Sequence, residues 1–174
     1  MKISISKIII FSFVIFLITI FWMGLKINNS YDTKSLIGNK ISKFHLVEIY
    51  DDTQFISEED LKKKNFTLIN FFASWCAPCR TEHKYLLKLS SERKEIKIIG
   101  INFKDKKNNA INFLEELGNP YNFVGMDLKG KLSILFGIYG IPESILVDSN
   151  LIIIKKFVGP IDQTQYNEIL KLIK

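Results

Sequence analysis

The chain has only two cysteines, Cys76 and Cys79, and they closely follow the apolar run of residues 66–72. The run is apolar on both faces of a strand, which predicts a central strand covered by helices on each side. A Cys-X-X-Cys pair at the end of a strand and the start of a helix is typical of a dithiol/disulfide redox centre. Cys76 would then lie at a helix N-terminus, where unpaired N–H groups and the helix dipole favour the thiolate. A thiolate attacks disulfides, so the spacing predicts that Cys76 attacks and that Cys79, one turn later, resolves the mixed disulfide.

Other uses of a Cys-X-X-Cys pair fit this chain less well. A structural zinc site would need two further ligands, but a third cysteine is lacking and His45 and His83 are far apart in the sequence. Haem attachment would need a histidine directly after the second cysteine, where Arg80 stands. A purely structural disulfide across so short a loop would restrain the unfolded chain little. The pattern therefore favours redox chemistry.

An uncharged apolar segment, residues 8–25, lies near the N-terminus between Lys7 and Lys26. As a helix it would span about 27 Å, close to the ~30 Å hydrocarbon core of a bilayer. A cleaved signal peptide usually has a shorter apolar region, and the residues after this segment offer no small-x-small cleavage site. A buried core helix is also disfavoured, because the segment is apolar on every face. We therefore predict an uncleaved membrane signal anchor over residues 1–26.

The positions of the lysines predict how this anchor is oriented. Lys2 and Lys7 precede the span, so the positive-inside rule predicts a cytoplasmic N-terminus and an exported C-terminal part. In a bacterium this means a single pass through the inner membrane with the domain in the periplasm. The formal net charge of +6 includes these lysines, and the rest of the excess is spread along the chain. Nucleic-acid binding needs a concentrated basic face, so it is not expected.

The polar residues 27–41 are typical of a linker, and residues 42–174 are enough for one compact domain. Apolar patterns and capping signals predict the order of its elements. These are strands at 44–50, 66–72, 96–102, 144–147 and 151–157, and helices that start at 57, follow Cys76 to about 91, cover 109–117 and start at 162. Strands that alternate with helices early and a hairpin late predict an α/β fold, a mixed sheet with helices on both faces.

Several short motifs recur in an order that is specific to one protein family. They lie at residues 73–83, 100–105, 118–121, 137–144 and 158–160. Together with the N-terminal span, they resemble the DsbE/CcmG family over residues 36–174. These are membrane-anchored, thioredoxin-like thiol:disulfide interchange proteins of bacterial cytochrome c maturation. The resemblance implies a thioredoxin-like mixed sheet preceded by one transmembrane helix.

The resemblance also implies a direction of electron flow. Apocytochrome c must carry free thiols before haem is attached, although the periplasm is oxidising. A protein of this family would receive electrons from a membrane donor of the DsbD/CcdA type. It would pass them to a disulfide of apocytochrome c or of the thiol protein of the haem-ligation machinery. No cofactor beyond the redox-active Cys76–Cys79 disulfide and no metal is expected.

Residues beyond the cysteines are implied in the site by the same resemblance. Pro142 corresponds to a cis-proline that faces the cysteines, so that the Ile141 backbone is left to pair with an extended client, a form of β-augmentation. An ordinary trans proline at the start of a strand is the alternative. Trp75 and Pro78, within the cysteine motif, are expected to contact the client as well.

Two acidic residues are candidates for proton transfer. Many thioredoxins carry a buried aspartate six residues before the first cysteine, where this chain has Asn70, which does not titrate. Glu82, three residues after Cys79 on the same side of the helix, and Glu143, next to Pro142, are the substitutes. We expect Glu143 to face the client groove, whereas a solvated helix residue is the alternative for Glu82.

Two other functions are compatible with the sequence. A related anchored thioredoxin of the sporulation or oxidase-assembly type would perform the same chemistry on a different client. A redox-inert docking module would use the groove beside Pro142 without electron exchange, which the presence of both cysteines disfavours.

Overall fold

The structure, a computed structural model, describes residues 5–26 and 36–174, in two compact units, residues 1–32 and 33–174. The first unit contains one helix, α1 (Ile5–Lys26). Its segment Ile5–Leu25 has a mean hydropathy of 2.7 and is not buried inside the protein. A helix of 22 residues spans about 33 Å, so α1 has the length and composition to cross a membrane. The predicted helix at residues 8–25 is confirmed.

The second unit is built on a five-stranded sheet with strand order β5-β4-β3-β6-β7. Its elements are β1 (His45–Val47), β2 (Phe55–Ser57), α2 (Glu58–Leu61), β3 (Phe66–Phe72), α3 (Ala77–Glu92), β4 (Ile96–Phe103), α4 (Lys107–Leu117), β5 (Phe123–Asp127), α5 (Lys131–Leu135), β6 (Glu143–Asp148), β7 (Ile153–Val158) and α6 (Gln163–Leu172). Strands β3, β4 and β5 are parallel, whereas β6 and β7 run antiparallel to their neighbours. This arrangement confirms the predicted thioredoxin-like mixed sheet.

The central strand β3 supplies both hydrophobic layers. Leu68 and Phe72 pack on one side with residues of α3, α4 and α6. Ile69 and Phe71 pack on the other side, against residues of the β1–β2 hairpin and Phe136, which follows α5. Successive residues of a strand point to opposite faces, so a strand that is covered on both sides needs apolar residues on both faces. Thr67 and Asn70 are the two buried polar exceptions in β3.

Local signals in the sequence placed most of the helix ends correctly. Asp162 caps α6 by accepting from the backbone N–H of Thr164 and Gln165 at 2.8 and 3.0 Å. The Gln165 side chain accepts from the Asp162 N–H, which completes a capping box. Gly118 ends α4 with φ of +89°, a backbone conformation that glycine adopts without strain.

The structure adds three elements that were not predicted and moves the start of the domain. β2 is a strand of three residues, β5 is a five-residue edge strand, and α5 is a helix of only five residues. The described part of the predicted linker, residues 36–41, already pairs with the sheet. Gly38 N–H donates to Ile153 O at 2.8 Å, Ile41 N–H donates to Leu151 O at 2.9 Å, and the Ile41 side chain is buried. The packed domain therefore includes residues before 42, while residues 27–35 lie outside the described part of the chain.

Candidate active site

The cysteine pair lies at the carboxyl end of β3, where the chain turns into α3. Cys76 is the N-cap of α3 and Pro78 occupies its first turn, where a missing N–H costs nothing. Cys76 and Cys79 form a disulfide with a Cα–Cα distance of 5.3 Å. The backbone N–H of Cys79 donates to Cys76 Sγ at 3.2 Å. A negative charge on that sulfur would therefore meet an N–H donor and the positive end of the helix dipole.

Exposed apolar side chains lie beside the cysteine pair. Cys76 is 4% exposed and Cys79 is 1% exposed, so both are buried, while the neighbouring Trp75 is 59% exposed. Pro78 is exposed as well, and it stands between the cysteines in the sequence. The attacking role of Cys76 and the resolving role of Cys79 stay a prediction.

Asp105 fixes the turn that carries Cys76, which sequence reasoning did not identify. Its carboxylate accepts from Ser74 N–H at 2.6 Å and from the Ser74 hydroxyl at 3.0 Å. Trp75 Nε1 donates to Lys104 O at 3.3 Å. The turn is therefore tied to the loop after β4 at two successive residues. The only signal in the sequence was the motif at residues 100–105.

The loop before β6 is the second wall of the site. Because β6 is antiparallel to β3, its first residue, Glu143, pairs with Phe71 near the end of β3. The Ile141–Pro142 peptide bond is cis, as the resemblance implied. Ile141 is half-buried and packs against the hydrophobic cluster that includes both cysteines. No hydrogen bond from the described residues occupies its backbone N–H or C=O, so both groups are available to an extended peptide.

A buried ion pair supports this loop from below. Glu143 and Lys156 meet at 2.7 Å, with side chains that are 3% and 0% exposed. The second carboxylate oxygen of Glu143 accepts from the N–H groups of Tyr139 and Gly140 at 3.1 and 3.0 Å. Lys156 Nζ also donates to Gly137 O at 2.6 Å. The pair therefore fixes the backbone of residues 137–140, and Lys156 is a further residue that sequence reasoning missed.

These contacts correct the expected position of Glu143. Its carboxylate does not face the client groove, because Lys156 and two backbone N–H groups surround it. A buried carboxylate that is already paired neither offers a contact to a client nor adds an unbalanced negative potential. Glu143 therefore belongs to the support of the loop rather than to the groups that react.

Glu82 is buried rather than solvated, and it belongs to a polar network under the cysteines. It is 1% exposed and lies on the buried side of α3 one turn after Cys79. Glu82 Oε1 accepts from Asn70 Nδ2 at 2.9 Å, and Oε2 accepts from the Ile161 N–H at 2.9 Å. Asn70 Nδ2 also donates to Ser144 Oγ at 3.0 Å, and Tyr121 OH donates to Asn70 Oδ1 at 2.7 Å. Asn70 thus orients the Glu82 carboxylate through its side-chain amide.

Burial changes how Glu82 titrates. Desolvation raises the pKa of its carboxyl from 4.5 to about 7, although the hydrogen bonds from Ile161 and Asn70 favour the carboxylate. Such a group is partly protonated near neutral pH and can both accept and return a proton. Burial and the proximity of Glu82 raise the pKa of Tyr121 well above its usual value, so Tyr121 remains a hydrogen-bond donor. Ser144 and Tyr121 were quoted in the sequence motifs but were not assigned a role.

The remaining polar residues of α3 have structural partners. Arg80 forms a bidentate pair with Glu116 at 2.9 and 3.0 Å, and both side chains are exposed. Its charge is therefore largely matched. His83 is 3% exposed, its Nε2 lies 2.8 Å from Gly118 O, and burial lowers its pKa. Over residues 5–26 and 36–174, no group of three or more His, Cys, Asp or Glu residues is arranged to hold a metal ion.

The chain matches one protein-family model and several characterised proteins. The model, described as Redoxin, matches residues 36–172. The thiol:disulfide interchange protein DsbE of Escherichia coli is 36% identical over 137 residues, which cover 79% of this chain and 73% of that protein. DsbE of Pseudomonas aeruginosa is 38% identical over 145 residues, 83% of this chain and 79% of its own length. The thiol:disulfide interchange protein CycY of Rhizobium leguminosarum is 51% identical over 98 residues, but these cover 56% of this chain and only about half of CycY, 52%.

Solved structures share the same fold. A thiol:disulfide interchange protein of the thioredoxin family from Chlorobium tepidum superimposes with a TM-score of 0.66 at 26% identity, over 78% of this chain and 96% of that protein. The thioredoxin domain of a thiol-disulfide oxidoreductase from Bacteroides vulgatus gives a TM-score of 0.68 at 23% identity, over 79% and 98% of the two chains. The second similarity concerns the fold alone.

Proposed function

Since the chain belongs to the redoxin family and, within it, to the thiol:disulfide interchange proteins of the DsbE type, we propose that it reduces protein disulfides during cytochrome c maturation. The observation that carries the exchange chemistry is the placement of Glu82, whereas the reductive direction rests on the family resemblance. Its carboxyl, with a pKa of about 7, lies one helical turn from the buried Cys79. Glu82 can therefore take up the proton that Cys79 must lose before it acts as a nucleophile.

The reaction proceeds in two exchanges. The Cys76 thiolate attacks one sulfur of the client disulfide, forms a mixed disulfide and releases the other client sulfur as a thiolate. Glu82 then accepts the proton of the Cys79 thiol, and the Cys79 thiolate attacks Cys76 Sγ. This step breaks the mixed disulfide, forms the Cys76–Cys79 disulfide and releases the second client sulfur. The client gains two electrons and this protein loses two.

The client contacts follow from the exposed surface around Cys76. Trp75 and Pro78 are exposed beside the disulfide, and they offer apolar surface to the residues that flank the client cysteine. Ile141 offers its backbone N–H and C=O as a short edge on which an extended segment can pair. Pro142 is buried and fixes the direction in which that edge is presented.

The identity of the client and of the electron donor rests on the family. The order of the motifs and the similarity to DsbE support apocytochrome c, or the thiol protein of the haem-ligation machinery, as the client. They support a membrane donor of the DsbD/CcdA type as the source of electrons. The α1 helix supports attachment to the bacterial inner membrane by a single pass, with the redox domain in the periplasm.

Trapping of the mixed disulfide tests this function. Cys79→Ala leaves Cys76 able to attack but removes the thiol that resolves the complex. In cells, this variant should accumulate covalent adducts that reductant releases. The captured partner should be apocytochrome c or a haem-ligation thiol protein, and the double variant Cys76→Ala/Cys79→Ala should capture neither. Adducts with clients unrelated to cytochrome c, together with normal c-type cytochromes in a deletion strain, would contradict the proposed client.

A further inference from the structure

Five lysines converge on one edge of the sheet, beside the redox disulfide. Strands β3, β4 and β5 are parallel, so their carboxyl ends lie at the same edge. The turn with Cys76 follows β3. Lys104, Lys106 and Lys107 follow β4, and Lys129 and Lys131 follow β5. The backbone N–H groups of Lys104 and Gly130 both donate to Asp127 O at 3.1 Å, which holds the two loops together. We call these five residues the lysine rim.

Lys104 is held in a defined position next to Trp75. Its φ of +44° lies in the left-handed region, which a residue with a side chain rarely adopts. Its carbonyl oxygen accepts from Trp75 Nε1 at 3.3 Å. Its Nζ lies 5.1 Å from the centre of the Phe103 ring. A Cβ added to Gly130 would lie 2.7 Å from Lys104 Cε, so the glycine leaves room for this side chain. Strained backbone that is fixed by its surroundings is enriched at functional sites.

The positive charge of the lysine rim is only partly matched. All five lysines are exposed. Within the described residues, only Lys107 forms an ion pair, with Asp52 at 3.3 Å, and both side chains are largely exposed. Asp52 therefore offsets the charge of only one of the five lysines. Asp105 and Asp127 lie in the same loops but are buried, and their carboxylates accept from Ser74 and from Ser133 respectively. The exposed surface at this edge is therefore positive.

We infer that the lysine rim binds carboxylates that flank the disulfide of the client. This inference rests on the proposed function and specifies its substrate class: a polypeptide segment with Asp or Glu residues near its disulfide. Trp75 links Lys104 of the rim directly to the turn that carries Cys76, so a segment bound at Cys76 lies next to this end of the rim. Opposite charges increase the rate of association and select among partners more than they add to final affinity. The sequence alone showed only that the basic residues are spread along the chain.

Two synthetic peptides with the same internal disulfide test the inference, one flanked by glutamates and the other by lysines. The full-length reduced protein, in a neutral detergent, is mixed with each peptide, and the rate of disulfide reduction is measured. Each rate is divided by the rate of reduction of an uncharged disulfide reagent, and the two normalised rates are compared as a ratio. At low ionic strength the acidic peptide should react about tenfold faster than the basic one. The ratio should fall towards one in about 0.5 M salt, because screening removes the attraction.

Variants of the rim and of a matched surface separate the possible causes. Lys106→Gln/Lys129→Gln/Lys131→Gln should lower the ratio several-fold. Lys64→Gln/Lys94→Gln should keep it, because these two lysines contact each other where β3 and β4 begin, at the opposite edge. Equal rates for both peptides, or a ratio that the rim variant leaves unchanged, would overturn the inference. If the rim variant lost binding to anionic vesicles while its ratio of peptide rates stayed unchanged, the inference would also be overturned, and the rim would be assigned to lipid binding. Reduction of neither peptide would instead contradict the proposed function itself.

Discussion

Replacement of Glu82 by glutamine removes a titrating carboxyl from the interior and leaves its shape nearly unchanged. Glu82 Oε1 and Oε2 accept from Asn70 Nδ2 and Ile161 N–H. Glutamine keeps one acceptor oxygen, so one of these hydrogen bonds is lost at every pH. The pH-dependent part of the difference in unfolding free energy between the original protein and Glu82→Gln therefore reports the ionisation of Glu82.

The sign and size of that change follow from the pKa of Glu82. Desolvation raises the folded-state pKa to about 7 from 4.5, so the folded protein binds more protons than the unfolded chain between these values. The free energy of unfolding then falls as the pH rises through this window. This fall in the free energy of unfolding is absent below about pH 4.5 and reaches its full size, roughly 3 kcal/mol, above about pH 7. The Glu82→Gln variant should not show this pH-dependent fall in the free energy of unfolding.

Denaturant unfolding of both proteins in the oxidised state, from pH 4.5 to pH 8, measures this difference. The stability of Glu82→Gln relative to the original protein should rise by roughly 3 kcal/mol across the range. Glu115→Gln, at an exposed position, is the matched control and should give a pH-independent difference. A constant difference for Glu82→Gln as well would show that Glu82 ionises normally, and the reasoning on desolvation would be wrong.

The same variant separates structure from chemistry in a kinetic assay. Resolution of a preformed mixed disulfide by Cys79 should slow about 10²-fold at pH 7 in Glu82→Gln, the lower range for general acid–base catalysis. The rate for the original protein should show an apparent pKa near 7 that the variant lacks. An unchanged pH profile in the variant would remove Glu82 from the proton transfer, whatever the stability data show.

Three further predictions concern the loop, the network and the nucleophile. Lys156→Met should lower the free energy of unfolding by about 3–5 kcal/mol, because it leaves Glu143 buried and unpaired. In denaturant unfolding, Lys156→Met/Glu143→Gln should recover much of this lost stability. Additive losses of stability would refute a coupled pair. Gly100→Ala should cost about 1–3 kcal/mol, since its Cβ would lie 2.9 Å from the Tyr121 ring, whereas Gly140→Ala, with nothing within 4 Å, should cost less. In pH-dependent alkylation of the reduced protein, Cys76 should react first with a pKa below about 8.5, and earlier labelling of Cys79 would reverse their roles.

Much of the fold was predictable because its signals are local. The bounds of β3 coincide with the mainly apolar run at residues 66–72, since both faces of this strand are covered by a hydrophobic layer. The start of α6 follows from Asp162 and Gln165, whose side chains cap backbone groups within the same turn. β2, β5 and α5 escaped prediction, because they are only three to five residues long and gain their stability from neighbours rather than from their own pattern.

The sequence by itself determined the reactive pair and its place between a strand and a helix, because these depend on residues within a few positions of one another. The proline loop opposite the pair was implied by the resemblance to a family. Only the tertiary structure decided which acid titrates near neutrality. Glu82 is enclosed by Asn70 and by Ile161, which is 79 residues away, whereas Glu143 is matched by Lys156. A carboxyl changes its pKa through burial and through the charges around it, and both depend on contacts between distant parts of the chain that no local pattern contains.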